Sequence, residues 1–275
     1  MNSVTAPVER FVHHYGNLVG KSVMVLVLVC LWAPIALVAV MSFSAGGVLS
    51  FPPSGFTTQW YVDFLGNDSA IQSIVTTLQV SLVATPLTVI LATVFSYGVS
   101  RYEFRGKGIS QLAISLPLIV PLVVTGISLT MFFGFLNLGS GYGPVVLSHV
   151  VRTLPFAALI ILPTFLTFDT RLEEASQDLG ATEVETFFKV TIPNTLPGLI
   201  AGGLLAFTIS FNEFVYTYFV AGTGTETMPL YLWNQIQFSA TPEVNVLSVI
   251  FLLVAVATVL IAVFFTNVER ITTQT

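Results

Sequence analysis

The chain has 275 residues, of which 9 are Lys or Arg and 14 are Asp or Glu, so charge makes up 8% of a sequence that is 54% hydrophobic. A soluble domain is about 25% charged, so this chain cannot cover a water-facing surface, and its mean hydropathy of +0.88 points to a polytopic membrane protein. The single Cys30 excludes a disulfide-stapled module, 23 Phe, 8 Tyr and 3 Trp exclude a disordered chain, and a net charge of −5 without a basic patch argues against nucleic acid as a partner.

A bilayer core about 30 Å thick takes roughly 20 apolar residues per helix. Six stretches reach that length, so an all-α fold of six transmembrane helices in a lipid bilayer is expected. Residues 1–21 form a tail holding Arg10, His13, His14 and Lys21, and the first span runs from Ser22 to Phe43. Within this region GNLVGKS, Gly16 to Ser22, imitates a phosphate loop. It has one residue too few between its glycines and no preceding strand, so its amides could not cradle phosphates. The loop 44–72 carries Phe56, Trp60, Tyr61, Asp63 and Asp68. The second span is Ser73–Ser100. The third, Ile109–Leu136, holds Pro117 and Pro121, which predict a kink or local unwinding. The fourth is Val145–Phe168 and the fifth Leu199–Val220, with the polar loop 169–197 between them. The connection 221–245 holds Glu226, Tyr231, Trp233 and Glu243. Pro242, following Thr241, predicts the first helical position of the sixth span, Val246–Thr266, and residues 267–275 form a C-terminal tail.

Lys and Arg favour the cytoplasmic side of a membrane. Arg10, Lys21, Arg101, Arg105, Lys107, Arg171, Lys189 and Arg270 all fall on one face of the six-span arrangement, and only Arg152 departs from it. Both termini are therefore expected in the cytoplasm. The three outer connections, 44–72, 137–144 and 221–245, contain no basic residue, and the first and last of them carry acids and aromatics. His13, His14 and His149 have no Cys or carboxylate at ligand spacing, and no nucleophile stands beside a base. No metal site and no catalytic residue is expected.

The loop 169–197 is far longer than most helix connections. Thr170 with Glu173, and Thr182 with Glu185, have the spacing of two capping boxes, each marking a helix start. Gly180 lies between them, where a left-handed residue would end the first helix. Pro193 and Pro197 are expected to stop the second helix and restart the chain as a span. Leu172, Ala175, Ser176 and Leu179 share one face of the first helix, and Val184, Phe187 and Phe188 form the apolar part of the second. Paired aromatics facing the cytosol call for a covering partner.

Glu174-Ala175-Ser176, Gly180 four residues on, and Val190-Thr191-Ile192-Pro193 together resemble the EAA motif of type I ABC importer permeases, with its spacing kept. FTTQWYVDFL, SRYEFRGKG, LPLIVPLVVTGISL and GGLLAFTISFNEFVYTYFVAG are similar to the spermidine/putrescine branch, in particular the second of its two permease subunits. That branch usually has two acids where this chain has Asn212-Glu213. The resemblance implies a type I importer transmembrane domain over 73–266, in a prokaryotic inner (cytoplasmic) membrane, that pairs with a second permease subunit. It implies two ATP-binding subunits and an extracytoplasmic substrate-binding protein as further partners. ATP and Mg would sit on the ATPase, and this chain would bind no cofactor and be no enzyme. Its coupling residues would be Leu172, Glu173, Glu174, Ala175, Ser176, Leu179, Gly180, Phe187, Phe188 and Pro193. Glu174 would act as a polar anchor, and Leu172, Leu179, Phe187 and Phe188 would supply apolar contact. The implied substrate is a polyamine, with ferric iron, thiamine or another organic cation as alternatives. An ion-gradient-driven transporter would instead call for internal repeats and several intramembrane acids.

Glu213 sits well inside the fifth span, where an unpaired charge costs at least about 2.5–3.5 kcal/mol. Two readings stand: with Asn212 it lines the substrate pathway, or it is a packing acid held by hydrogen bonds or an ion pair. Arg152, near the outer end of the fourth span, either snorkels to the headgroups or pairs with an acid of the partner subunit.

Overall fold

The computed structural model describes the backbone of residues 5–46, 51–238 and 242–272, and the side chains of 19–46, 51–238 and 242–260. Thr241 and the side chains of Arg10, His13, His14 and Arg270 lie outside the described residues. Every named element is a helix. The chain divides into two units, Met1–Gly66 with Ser239–Ile250, and Asn67–Phe238 with Phe251–Thr275.

In the first unit, α1 spans Thr5–Met41. It runs through most of the stretch read as a tail, because isolated Gly16 and Gly20 weaken a helix without ending it. From Val19 to Met41 it is apolar on all sides, as expected of a helix facing lipid or another subunit. A short loop then folds back on itself. Trp60 donates to the Ser44 carbonyl at 3.0 Å, Ser42 and Tyr61 hydroxyls lie 2.7 Å apart, and α2, Gln59–Leu65, carries both aromatics.

The second unit is built on three helices, α3 (Asp68–Arg101), α6 (Tyr142–Leu166) and α9 (Ile192–Phe211). α3 begins five residues before the sequence-based boundary, because Asn67 accepts the Ala70 N–H at 3.1 Å and caps it. Small residues let these helices approach. Ala84, Ala92, Ala157 and Ala206 are fully buried, and a Cβ on Gly202 would lie 2.7 Å from Ile161 Cγ1.

The expected kink in the third span is larger than a kink. α4 (Lys107–Ile119) and α5 (Leu122–Phe135) meet at 108°. Pro121 lacks an N–H and drives Val120 to extended geometry, φ −73° and ψ 133°, which breaks the helix there.

The loop between the fourth and fifth spans folds as α7 (Arg171–Asp178) and α8 (Glu183–Thr186). The prolines do not stop α8. A π-helical turn, Phe187–Thr191, leads directly into α9, whose first turn holds Pro193. The Ile192 N–H reaches back five residues to Phe187, and the wider turn absorbs the donor that Pro193 lacks.

The fifth span is not one helix. α9 stops at Phe211, and α10 (Val215–Val220) follows after Asn212-Glu213-Phe214. α11 (Met228–Phe238) and α12 (Glu243–Thr272) complete the chain, with Pro242 just before α12 rather than inside its first turn. Among the described residues five helices are long and apolar enough to cross a membrane, and α4 with α5 supplies a sixth span if counted as one.

Candidate functional site

The loop unit is ordered by hydrogen bonds at each joint. At the end of α7 the Gly180 N–H donates to the Gln177 carbonyl at 2.9 Å and the Ala181 N–H to Ser176 at 3.1 Å, with Gly180 at φ +92°. That pattern requires a left-handed residue, and glycine adopts it without a Cβ penalty. Thr182 and Glu185 make the expected capping box at the start of α8. The other expected box is absent: Thr170 caps nothing with its side chain. Its partner Glu173 turns inward instead, accepting from Arg101 Nε at 2.8 Å and Nη2 at 3.0 Å, and from the Thr191 hydroxyl.

The rest of the unit sorts by face. Ser176 accepts from the Thr186 hydroxyl at 3.1 Å, which ties α7 to α8. Phe187 packs inward, its ring 4.9 Å from Tyr97 of α3. Leu172, Leu179, Val184 and Phe188 are exposed, Leu179 at 91%. Glu174, Ala175 and Pro193 are exposed as well. A cavity of about 390 Å³ opens between this edge and α3, lined by Val94, Tyr97, Tyr102, Val184, Phe187 and Phe188 among others. At the entrance to the unit Asp169 receives three side-chain contacts from Arg171, which hold its carboxyl below the usual range.

The second polar cluster surrounds the break between α9 and α10. Glu213 Oε1 accepts the Tyr216 N–H at 2.9 Å, satisfying a donor in the first turn of α10, and Oε2 accepts from Arg152 Nε at 3.2 Å. Three residues before Arg152 on α6, His149 bridges the same break. Its Nδ1 lies 2.8 Å from Ser210 Oγ on α9 and its Nε2 2.8 Å from Thr217 Oγ1 on α10. Ser210 in turn reaches Ser81 of α3 at 3.3 Å. Both faces of the discontinuity are thus held to α6, and Glu213 supplies an acceptor for one of the backbone donors that the break frees, as a broken helix at membrane depth requires.

Near the opposite end of α3 from the loop unit, a cavity of about 410 Å³ is lined by Asp68, Ser69, Gln72, Ser73, Thr76, Gly224 and Glu226. Among the described residues that line it are two carboxylates and no basic group. Among the described residues no group of His, Cys, Asp and Glu has the arrangement of a metal site.

Residues 84–273 match the family described as the inner membrane component of binding-protein-dependent transport systems. The chain belongs to this family. Among curated proteins it is 32% identical over 245 residues to the spermidine/putrescine transport system permease protein PotC of Haemophilus influenzae, covering 89% of this chain and 95% of that one. It is 31% identical over 229 residues to the putrescine transport system permease protein PotI of Escherichia coli, covering 81% of each. Among solved structures, a bacterial ABC transporter involved in the import of the acidic polysaccharide alginate aligns with a TM-score of 0.72 at 14% identity, over 95% of this chain and 98% of that one. The same kind of transporter in complex with an alginate pentasaccharide-bound periplasmic protein aligns at 0.69 and 16% identity, over 94% and 95% of the two chains. The protein is therefore a membrane-embedded ABC transporter permease of the PotC and PotI type, with the all-α permease fold.

Several sequence-based expectations for this permease change in the light of the geometry. Arg152 pairs with Glu213 of its own chain at 3.2 Å, a partner that neither reading of Arg152 had named. Glu213 is buried, 6% exposed, and engaged through both carboxylate oxygens, whereas Asn212 is exposed and bonds back to the Thr208 carbonyl at 2.8 Å. Glu173 and Phe187 face the bundle, so they are not on the exposed edge with Leu172, Leu179, Glu174 and Phe188. Tyr231, read with the outer aromatics, is buried, and its hydroxyl meets Asn67 at 3.1 Å. The sequence reading missed His149 as the bridge of the break. Its one available signal was a histidine inside an apolar span, with partners 61 and 68 positions away in the chain.

Proposed function

We propose that the permease is the transmembrane subunit of an ATP-driven importer, and that the α7–α8 unit docks onto a separate ATP-binding subunit. The observation that carries this is the apolar edge of Leu172, Leu179, Val184 and Phe188, left exposed on a unit whose every internal joint is hydrogen-bonded. A polar, well-ordered loop has no reason to keep such an edge unless another protein covers it. Glu174, exposed beside the edge, is the polar anchor, and Gly180 sets the bend between the two helices. ATP and Mg belong to that partner. A second permease subunit completes the substrate pathway, and an extracytoplasmic binding protein delivers the solute. On this reading both termini and the loop unit lie on the cytoplasmic side of an inner membrane, the side that Lys and Arg favour.

The substrate class we infer is an organic cation of the polyamine type. The named relatives carry spermidine and putrescine, and the cavity bearing Asp68 and Glu226 offers carboxylates without competing Lys or Arg. The test is co-purification from membranes together with putrescine uptake in reconstituted vesicles. An ATP-binding subunit that comes down with the chain and is lost with Glu174→Arg or Leu179→Asp supports docking through this edge. Retention of the subunit by both variants refutes it, and uptake of another solute in preference to putrescine refutes the substrate class.

A further inference from the structure

Two buried Arg–Glu pairs occur in the described residues, and they are built differently. Arg152 touches Glu213 through Nε alone at 3.2 Å. Arg101 grips Glu173 with two parallel bonds of 2.8 and 3.0 Å, and its Nη1 reaches the Phe165 carbonyl at 3.4 Å. The guanidinium also lies over the Phe168 ring at 5.2 Å and near that of Tyr97 at 5.8 Å. Side-chain exposure of the pair is 13% and 12%, whereas the other ion pairs of the loop, Arg171–Asp169 and Lys189–Glu185, are open to solvent. A two-pronged guanidinium–carboxylate bond fixes orientation as well as distance.

The elements that meet here are α3 through Arg101, α6 through Phe165, α7 through Glu173 and the π turn through Thr191. The π turn explains how the last of these is reached. Thr186 bonds to Ser176 and Thr191 to Glu173, so two residues five apart both face α7. At about 100° per residue, an α-helix would place them about 140° apart. One wide turn brings them onto one face.

We propose that Arg101, Glu173 and Thr191 form a clasp that positions the loop unit as one rigid body with the loop ends of α3, α6 and α9. Glu173 on this account is a positioning residue for coupling and not part of the docking surface. The inference rests on the reading of the loop as the coupling element. A push on the exposed edge is delivered into α9, which runs unbroken from the π turn to Phe211, and into α3 and α6 at the same moment. Without the clasp α7 pivots about Gly180 and the push is lost in the loop.

The test uses the full chain with its ATP-binding subunits in nanodiscs and compares wild type with Glu173→Gln, Thr191→Val and Thr191→Ser. Amide hydrogen exchange across residues 171–186 is expected to rise at least tenfold in Glu173→Gln and less in Thr191→Val, with Thr191→Ser restoring protection by restoring the hydroxyl. ATP hydrolysed per putrescine carried should rise several-fold in the same order. Wild-type exchange in both Glu173→Gln and Thr191→Val overturns the clasp, as does faster exchange that leaves the ratio of ATP to putrescine unchanged. If wild type retains no ATP-binding subunit or carries no putrescine, the functional reading fails, and the exchange comparison on the permease still decides whether the clasp exists.

Discussion

The Arg152–Glu213 pair allows a double-mutant cycle whose outcome follows from its burial. Arg152→Leu leaves a carboxylate that is 6% exposed with the Tyr216 N–H as its remaining contact, and removing one partner of a buried pair costs about 3–5 kcal/mol. Glu213→Leu leaves a guanidinium that is 18% exposed and lies over the Phe156 ring at 5.1 Å. The ring returns about 0.5–2 kcal/mol, so a cost of about 2–3 kcal/mol is expected, near the cost of an unpaired charge within a membrane. Independent sites would make the double variant cost about 5–8 kcal/mol by simple addition. Replacing both charges by apolar groups removes the unpaired charge, and such replacements are often neutral. The double variant is therefore expected within about 2 kcal/mol of wild type, the residue being the lost cap on α10. Equilibrium unfolding of the purified protein in mixed detergent micelles, followed by tryptophan fluorescence, measures all four corners. A double variant as unstable as the sum of the singles would show that the two charges do not act as a pair, and the account of the helix break would fall with it.

Other substitutions test separate joints. Gly180→Ala should cost about 1–2 kcal/mol in unfolding, because a Cβ there meets no atom within 4 Å and only the φ of +92° is penalised; Gly180→Asn should cost less, and a larger loss for Asn than for Ala would contradict the left-handed assignment. Gly202→Ala should lower stability by about 1–3 kcal/mol, since its Cβ would meet fully buried Ile161 at 2.7 Å; a neutral result would mean that α6 and α9 do not pack as described. Thr182→Ala should lower the protection of α8 amides by the equivalent of about 1 kcal/mol, read by hydrogen exchange, with no change in α7. Asp169 has a folded pKa held below its ordinary value by Arg171, so its contribution is present above that ordinary value and lost as pH falls through the lower folded one. Exchange at the start of α7 should therefore quicken only in acid below about pH 4, and Asp169→Asn should remove that step.

Charge scarcity and apolar length, both properties of the chain alone, determined that this is a membrane protein built from several long apolar helices, but not that the third and fifth of the expected spans are broken. Local chemistry was equally legible. Gly180 is left-handed and Thr182 with Glu185 caps α8 because those interactions involve residues within five positions of each other. The sequence also placed Pro121 at a kink, since proline acts on its immediate neighbours whatever surrounds them. What it could not determine was how partners distant in the chain compete for the same side chain. Glu173 had the spacing of a local cap, yet Arg101, 72 positions earlier, supplies two charged bonds in a buried site, stronger than one exposed cap bond. Arg152 and Glu213 were each read alone, and only the antiparallel packing of α6 against α9 and α10 sets them 3.2 Å apart and puts His149 across the break. Sequence spacing specifies contacts along one helix; contacts between helices depend on depth and rotation in the bundle, and those were decided by the tertiary structure.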